Sequence, residues 1–145
     1  MTLAAPSSGM FALLHAANAV EGFVESRLAA VGLSIPKLAA LNRLVEAGDS
    51  LPLGQLAERL ACVKSNVTQL VDRLEADGFV ERAPDPNDRR SRLAVLTDRG
   101  RKAHTEGARI QSDAEHQIFS ALSADDASRF AEIIAKLNGC RSKGH

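Results

Sequence analysis

The chain has no tryptophan and no tyrosine, and its 5 phenylalanines hold the aromatic share of its 145 residues at 3%. Its core must therefore be built from Ala, Leu and Val, a composition that favours helices. Cysteine is equally scarce. Cys62 and Cys140 are the only two; they form no metal-type spacing and give no support for a disulfide framework, so an intracellular location is expected. No stretch approaches the roughly 20 apolar residues of a membrane span. Met10-Phe11-Ala12-Leu13-Leu14 and Ala17-Asn18-Ala19 mimic an export signal, but no Lys or Arg precedes them and His15 and Asn18 interrupt the run. A cytoplasmic protein without a membrane partner follows, in which the glycosylation match Asn66-Val67-Thr68 carries no meaning.

An excess of one charge is missing too, since 18 Lys and Arg balance 18 Asp and Glu. A neutral total implies weaker non-specific binding to nucleic acid than a strongly basic chain would show, although binding depends on the field of one face. Signs of catalysis are also lacking. Cys62, His104 and His116 sit in no local catalytic signature, and the two histidines are twelve residues apart, beyond the i, i+4 spacing of a shared metal site. No cofactor is called for. What remains is a hydrophobic share of 45%, enough for a folded core in a chain of one-domain length that is small for a free-standing enzyme.

The informative stretch is Asp85-Pro86-Asn87-Asp88-Arg89-Arg90-Ser91-Arg92, between the apolar pieces Phe79-Val80 and Leu93-Ala94-Val95-Leu96. Pro86 and Asn87 suit a tight reversal, so the segment reads as a β-hairpin with an exposed loop. Arg89, Arg90 and Arg92 lie on or beside that loop. Their guanidinium forks suit a narrow groove of negative potential such as the DNA minor groove. From Arg89 to Lys102 there are six basic residues (Arg89, Arg90, Arg92, Arg99, Arg101, Lys102) against one acidic, Asp98. Asp88 is expected to orient a wing arginine by a charge-assisted bond rather than to face DNA.

Residues 63–78, immediately before, place Val67, Leu70, Val71 and Leu74 at i, i+3, i+4 and i+7, one apolar helical stripe ended by Gly78. Ser65, Gln69, Asp72 and Arg73 fall opposite, with Asn66 and Thr68 on the flanks. Short side chains that donate and accept hydrogen bonds can reach base edges in the major groove, which assigns DNA contacts to Ser65, Asn66, Thr68, Gln69 and Arg73. Leu53, Leu56, Ala57 and Leu60 mark a second short amphipathic helix, separated by Ala61-Cys62-Val63 only, so the pair reads as a helix-turn-helix and the hairpin makes it winged. Cys62 in that turn is expected to be a buried structural side chain, with a redox switch as the alternative.

Residues 53–100 resemble the winged helix-turn-helix of the MarR family of bacterial transcriptional regulators, in Leu56-Ala57-Glu58-Arg59-Leu60, Val67-Thr68-Gln69-Leu70-Val71-Asp72-Arg73-Leu74-Glu75, Asp77-Gly78-Phe79-Val80-Glu81-Arg82, Asp85-Pro86-Asn87-Asp88-Arg89-Arg90 and Leu96-Thr97-Asp98-Arg99-Gly100. The chain departs from the family at Val63, where a capping Ser or Thr is usual, and at Lys64, where a proline is common. The resemblance implies a mainly α fold with a small β-hairpin wing, flanked by N- and C-terminal dimerisation helices. On that basis residues 1–8 are a disordered N-terminus and 9–145 a single domain, with 9–34 and 101–145 for dimerisation and 35–100 for DNA binding. It further implies a homodimer, reading a pseudo-palindromic operator on double-stranded DNA as a repressor and released by a small-molecule or redox signal. Phe11, His15, Phe23 and Arg109 are the candidate contacts for a small anionic or phenolic effector. A winged-helix protein-interaction module without DNA binding is the competing reading.

Element ends are also legible. Ser34-Ile35-Pro36 opens a helix running from Lys37 to Ala47 and closed by Gly48-Asp49, Leu51-Pro52 supplies a brief third strand, and Thr97 caps a helix that passes through Arg109 toward Leu122. Ser123-Ala124-Asp125-Asp126 opens a last helix with Phe130, Ile133, Ile134 and Leu137 as its apolar stripe, leaving Cys140 in a polar tail.

Overall fold

Proline and capping side chains set the helix boundaries. A computed structural model of the protein describes the backbone of residues 6–60 and 66–143 and the side chains of residues 9–60 and 66–139. Helix α1 (Pro6–Ala29) starts at a proline, whose missing N–H is no loss in a first turn. Residues 6–8 are thus helical, correcting the disorder expected for 1–8; residues 1–5 lie outside the described part. Helix α2 (Ile35–Glu46) is capped by Ser34, whose Oγ accepts from the Lys37 N–H at 3.3 Å, and a carboxylate oxygen of Glu25 on α1 accepts from the Ile35 N–H. The chain then reverses through Gly48 and Asp49 into β1 (Ser50–Pro52) and α3 (Leu53–Arg59).

Helix α4 (Val67–Ala76) begins later than the periodicity predicts, because Asn66 takes the cap position with extended backbone and its Oδ1 accepts from the Gln69 N–H at 3.3 Å. Residues 61–65, with the expected turn, Cys62 and Ser65, lie outside the described part. Gly78 stops α4 in the left-handed region at φ 80°, where a β-carbon is disfavoured, and the Phe79 N–H returns to the Leu74 carbonyl at 2.9 Å.

Strands β2 (Val80–Asp85) and β3 (Asp88–Leu96) form the hairpin, and the antiparallel order is β1-β3-β2. Pro52 and Pro84 lie on the two edge strands, while central β3, which must donate to both sides, has no proline. Helices α5 (Asp98–Phe119) and α6 (Ala124–Lys143) complete the chain. Thr97 caps α5, its Oγ1 accepting from the Gly100 N–H at 3.0 Å, and Ser123 caps α6 by accepting from the Asp126 N–H at 3.1 Å. Cys140 falls within α6 rather than in a polar tail, its side chain being outside the described part.

The protein divides into two units, residues 1–111 and 112–145. The core of the first is leucine-rich: Leu28 of α1, Leu38, Leu41 and Leu44 of α2, Leu56 of α3 with Leu60 just beyond it, and Leu70, Val71 and Leu74 of α4 close over Val80, Ala94 and Leu96 of the sheet. Each fully buried aliphatic side chain contributes about 1.5–3 kcal/mol. Among the described residues no polar or charged side chain is buried. In the second unit the rings of Phe119 and Phe130 pack tilted at 5.6 Å.

Among the described glycines, the closest approach of other atoms is at Gly100 in the first turn of α5. A β-carbon there would stand 2.1 Å from the Phe79 carbonyl oxygen and 2.7 Å from Leu96 Cδ1. Backbone cannot yield as a side-chain tip can, so Gly100→Ala is expected to destabilise the fold by about 3 kcal/mol or more. Urea unfolding at matched protein concentration, with the midpoint lowered at unchanged slope, measures it.

Candidate nucleic-acid interface

On α4, Leu70, Val71 and Leu74 are buried and the opposite side carries Thr68, Gln69, Asp72, Arg73 and Glu75, all exposed. At 100° per residue Thr68, Asp72 and Glu75 make one stripe and Gln69 and Arg73 the next. Asn66, expected to read bases from a helix flank, is exposed but occupied as the cap through its Oδ1. Ser65, placed in the same group by its sequence position, lies outside the described residues.

Only Pro86 and Asn87 form the reversal of the hairpin, so the arginines sit on β3 beside it. Pairing is regular from Val80↔Leu96 to Pro84↔Arg92 and then jumps to Asp85↔Asp88. The jump leaves Arg89, Arg90 and Ser91 bulged out of register, and Arg89, Arg90 and Arg92 are all exposed. Bulges bend a strand and re-aim its side chains. Two carboxylates fix the turn: Asp85 Oδ1 accepts from the Asn87 N–H and Asp88 Oδ1 from the Arg90 N–H, each at 2.9 Å. Asp88 thus supports the wing through main chain, where a bond to a guanidinium was expected, because an Asp side chain reaches the N–H two residues on without ordering a long side chain.

Two arginines of this region are committed internally. Arg82 on β2 donates from Nη2 to Asp72 Oδ1 and from Nη1 to Glu75 Oε1, both at 2.7 Å. The hydrogen bond to Asp72 leads in raising its pKa above the ordinary guanidinium value, so it stays charged at every accessible pH. Arg101, one of the six basic residues of the 89–102 run, pairs with Asp49 and, at 2.6 Å, with Asp98. Asp49 leads in raising its pKa likewise. Asp49 has φ 84°, rare for a residue with a β-carbon, and its carbonyl accepts from the Leu96 N–H at 2.8 Å. Sequence reading missed both clamps, since Glu75 is 7 residues from Arg82 and Asp49 is 52 from Arg101.

A sequence model of the MarR family matches residues 33–91. The chain is 34% identical to the HTH-type transcriptional regulator YkoM of Bacillus subtilis (strain 168), over 72% of this chain and 68% of that protein. It is 36% identical to the transcriptional activatory protein BadR of Rhodopseudomonas palustris, over 88% and 74%. The chain belongs to the MarR family. With the transcriptional repressor MprA of Escherichia coli (strain K12) it shares 33% identity over 61% of its own length and 50% of MprA. Among solved structures, the MarR family regulator Sco5413 of Streptomyces coelicolor superposes with a TM-score of 0.81 at 25% identity, covering 97% of this chain and 98% of the other. A mutant of MarR from E. coli, complexed with operator DNA, superposes at 0.77 and 22% identity over 89% and 93%, a likeness of fold.

This MarR-family chain is therefore a transcriptional regulator with a winged helix, not an enzyme. Among the described residues no three His, Cys, Asp or Glu side chains are grouped to hold a metal, and no described helix is long and apolar enough to cross a membrane. A cavity of about 230 Å³ is lined by Val24, Leu28, Ile35, Leu38, Ala39, Asn42 and Gln111. Phe11, His15, Phe23 and Arg109, the expected effector contacts, are not in its lining. The buried face of α1 begins only near Val24 and Leu28, so Phe11 and His15 are exposed, and Phe23 lies under the Arg27 guanidinium at 4.4 Å. A second recess of about 140 Å³ joins Ser34, Pro36 and Lys37 of the α2 start to Asn66, Gln69, Leu70 and Arg73. Lys37, which pairs with Asp77 at 2.8 Å, had no sequence signal linking it to α4.

If Asn66 serves the helix rather than the bases, Asn66→Ala should cost about 1 kcal/mol of stability while Asn66→Ser, an equal cap, restores it. Chemical denaturation of the two variants reads the difference, and a loss in both would refute the capping role.

Proposed function

We propose that this chain is a transcriptional repressor that binds a pseudo-palindromic operator as a homodimer in the cytoplasm and is released by a small anionic or phenolic molecule. The observation that carries the DNA reading is the bulged strand β3 with Arg89, Arg90 and Arg92, in the hairpin that follows a helix whose outer face offers Thr68, Gln69 and Arg73. In this reading α4 enters the major groove, with Asn66 and Ser65 at its start, and the bulged arginines enter the minor groove or grip the backbone. An interaction module without DNA binding gives no reason for three exposed guanidinium groups on one strand.

Pairing of two copies is supported by apolar surface that a monomer would leave wet. On α1 Met10, Phe11, Leu13, Leu14 and Val20 are exposed, and on α6 Phe130, Ile133 and Leu137. Residues 9–34 and 101–145 are assigned to that contact and 35–100 to DNA, giving half-sites about one helical turn apart. The cavity of about 230 Å³ favours a small ligand over a redox signal at Cys62, being apolar with Asn42 and Gln111 as polar groups and large enough for one aromatic ring. RdhR-CbdbA1625, an organohalide-sensing regulator solved with 2,4-dichlorophenol, has the same fold with a TM-score of 0.82 at 18% identity, covering 95% of this chain and 82% of the other. The name of MprA supports repression and that of BadR activation; transcript levels after deletion of the gene decide, a rise at the bound promoter being expected.

Mobility shift with duplexes selected from a randomised pool tests the DNA reading. Arg90→Ala should weaken binding by about 1–3 kcal/mol and lower the salt slope by about one, whereas Gln69→Ala should change the preferred sequences. Unchanged affinity and preference in both would overturn the assigned roles. For the dimer, Leu14→Glu places a charge in the proposed contact; sedimentation should show one chain per particle, against two for the unaltered protein.

A further inference from the structure

Helix α4 poses an electrostatic problem for the function proposed above. Its charged residues are Asp72, Arg73 and Glu75, one cation against two anions, so the helix that must approach a phosphate-lined groove has a net charge of −1. Asp72 and Glu75 lie on the same exposed stripe as Thr68, at 60% and 43% side-chain exposure. A bare carboxylate there repels phosphate and opposes the field on which association depends.

The solution is on the neighbouring strand. Alternation along β2 puts Arg82 on the face that buried Val80 turns to the core, one step further out. From there the two ends of one guanidinium fork reach two different carboxylates, Asp72 and Glu75, each at 2.7 Å, and the Arg82 main-chain N–H adds a longer contact of 3.4 Å to Glu75 Oε2. With Arg82 included the group of four charges sums to zero. Its side chain is 21% exposed, less than either partner, and it pairs with Ala94 in the regular part of the sheet, away from the bulged arginines. A lysine has one ammonium and cannot span both partners in this way.

We propose that Arg82 is a positioning residue for DNA binding, which acts by neutralising Asp72 and Glu75 on the outer face of α4 and does not itself touch DNA. The inference rests on the DNA-binding reading, and the unaltered chain in each titration tests that reading separately: if it binds no duplex at all, the DNA reading itself fails. Given binding, Arg82→Ala should weaken it roughly tenfold, as loss of a direct contact also would. The triple variant Arg82→Ala, Asp72→Asn, Glu75→Gln separates the two. Masking predicts that affinity for the same selected duplex returns to within about threefold of the unaltered chain, with the slope against salt retained, whereas loss of a phosphate contact leaves binding weak and the slope lower by about one. Circular dichroism shows whether Arg82→Ala is folded. Should it not fold, the double variant Asp72→Asn, Glu75→Gln with Arg82 in place carries the test: binding as tight as or tighter than that of the unaltered chain supports masking. Weaker binding by the double variant, no effect of Arg82→Ala in a folded chain, or a triple variant as weak as Arg82→Ala would each overturn it.

Discussion

The geometry of the reading surface depends on one hydroxyl. Thr97 Oγ1 donates to the Gly78 carbonyl at 2.6 Å and accepts from the Gly100 N–H at 3.0 Å, while the Thr97 N–H donates to the Phe79 carbonyl at 3.0 Å. Three elements meet there: the stop of α4, the outgoing end of β3 and the start of α5. The same Phe79 carbonyl limits the space at Gly100. With the helix stop and the strand end tied to one residue, the wing cannot slide along the helix without breaking a buried backbone arrangement. Because a hydrogen bond between partly buried neutral groups contributes only about 1 kcal/mol, the stiffness comes from several such bonds sharing one point.

That rigid base lets a neutral protein present a positive face. The six basic residues between 89 and 102 are not equivalent: Arg101 is held by Asp49 and Asp98, whereas Arg89, Arg90 and Arg92 stand exposed on the strand distorted by the bulge. Arg82 is likewise bound to carboxylates of α4. Arginines near the sheet base are thus structural and those near the turn project outward. A net charge of zero, from 18 basic and 18 acidic residues, is thus compatible with a positive surface, because some of the acidic side chains are paired with the first group.

What was legible in the sequence follows the range of each interaction. Local signals translated directly: the Ser34, Thr97 and Ser123 caps, the Gly78 stop and the Pro86-Asn87 reversal each depend on residues within about four positions of one another. The family motifs carried the rest of the fold. The start of α4 was misplaced because periodicity extends an apolar stripe beyond a helix, and an Asn among polar residues offers a cap and a base contact with equal plausibility. The clamps at Arg82 and Arg101 and the recess between Lys37 and Arg73 needed the tertiary fold, since nothing in the spacing of Asp49 and Arg101 brings them together. Of the candidate effector contacts Phe11, His15 and Phe23 lie on α1 and Arg109 on α5, whereas the lining of the cavity, Val24 and Leu28 of α1 among it, is set by tertiary packing.

The first turn of α2 belongs to both recesses. Ile35, Leu38, Ala39 and Asn42 line the apolar cavity, while Ser34, Pro36 and Lys37 border the polar recess against Asn66, Gln69 and Arg73. This turn is also fastened from both sides, by Ser34 within its own chain segment and by Glu25 reaching across from α1. The same turn carries Lys37, whose ion pair with Asp77 at 2.8 Å ties the start of α2 to the residue that ends α4. Side chains of α2 thus alternate between the apolar cavity and the recess beside α4.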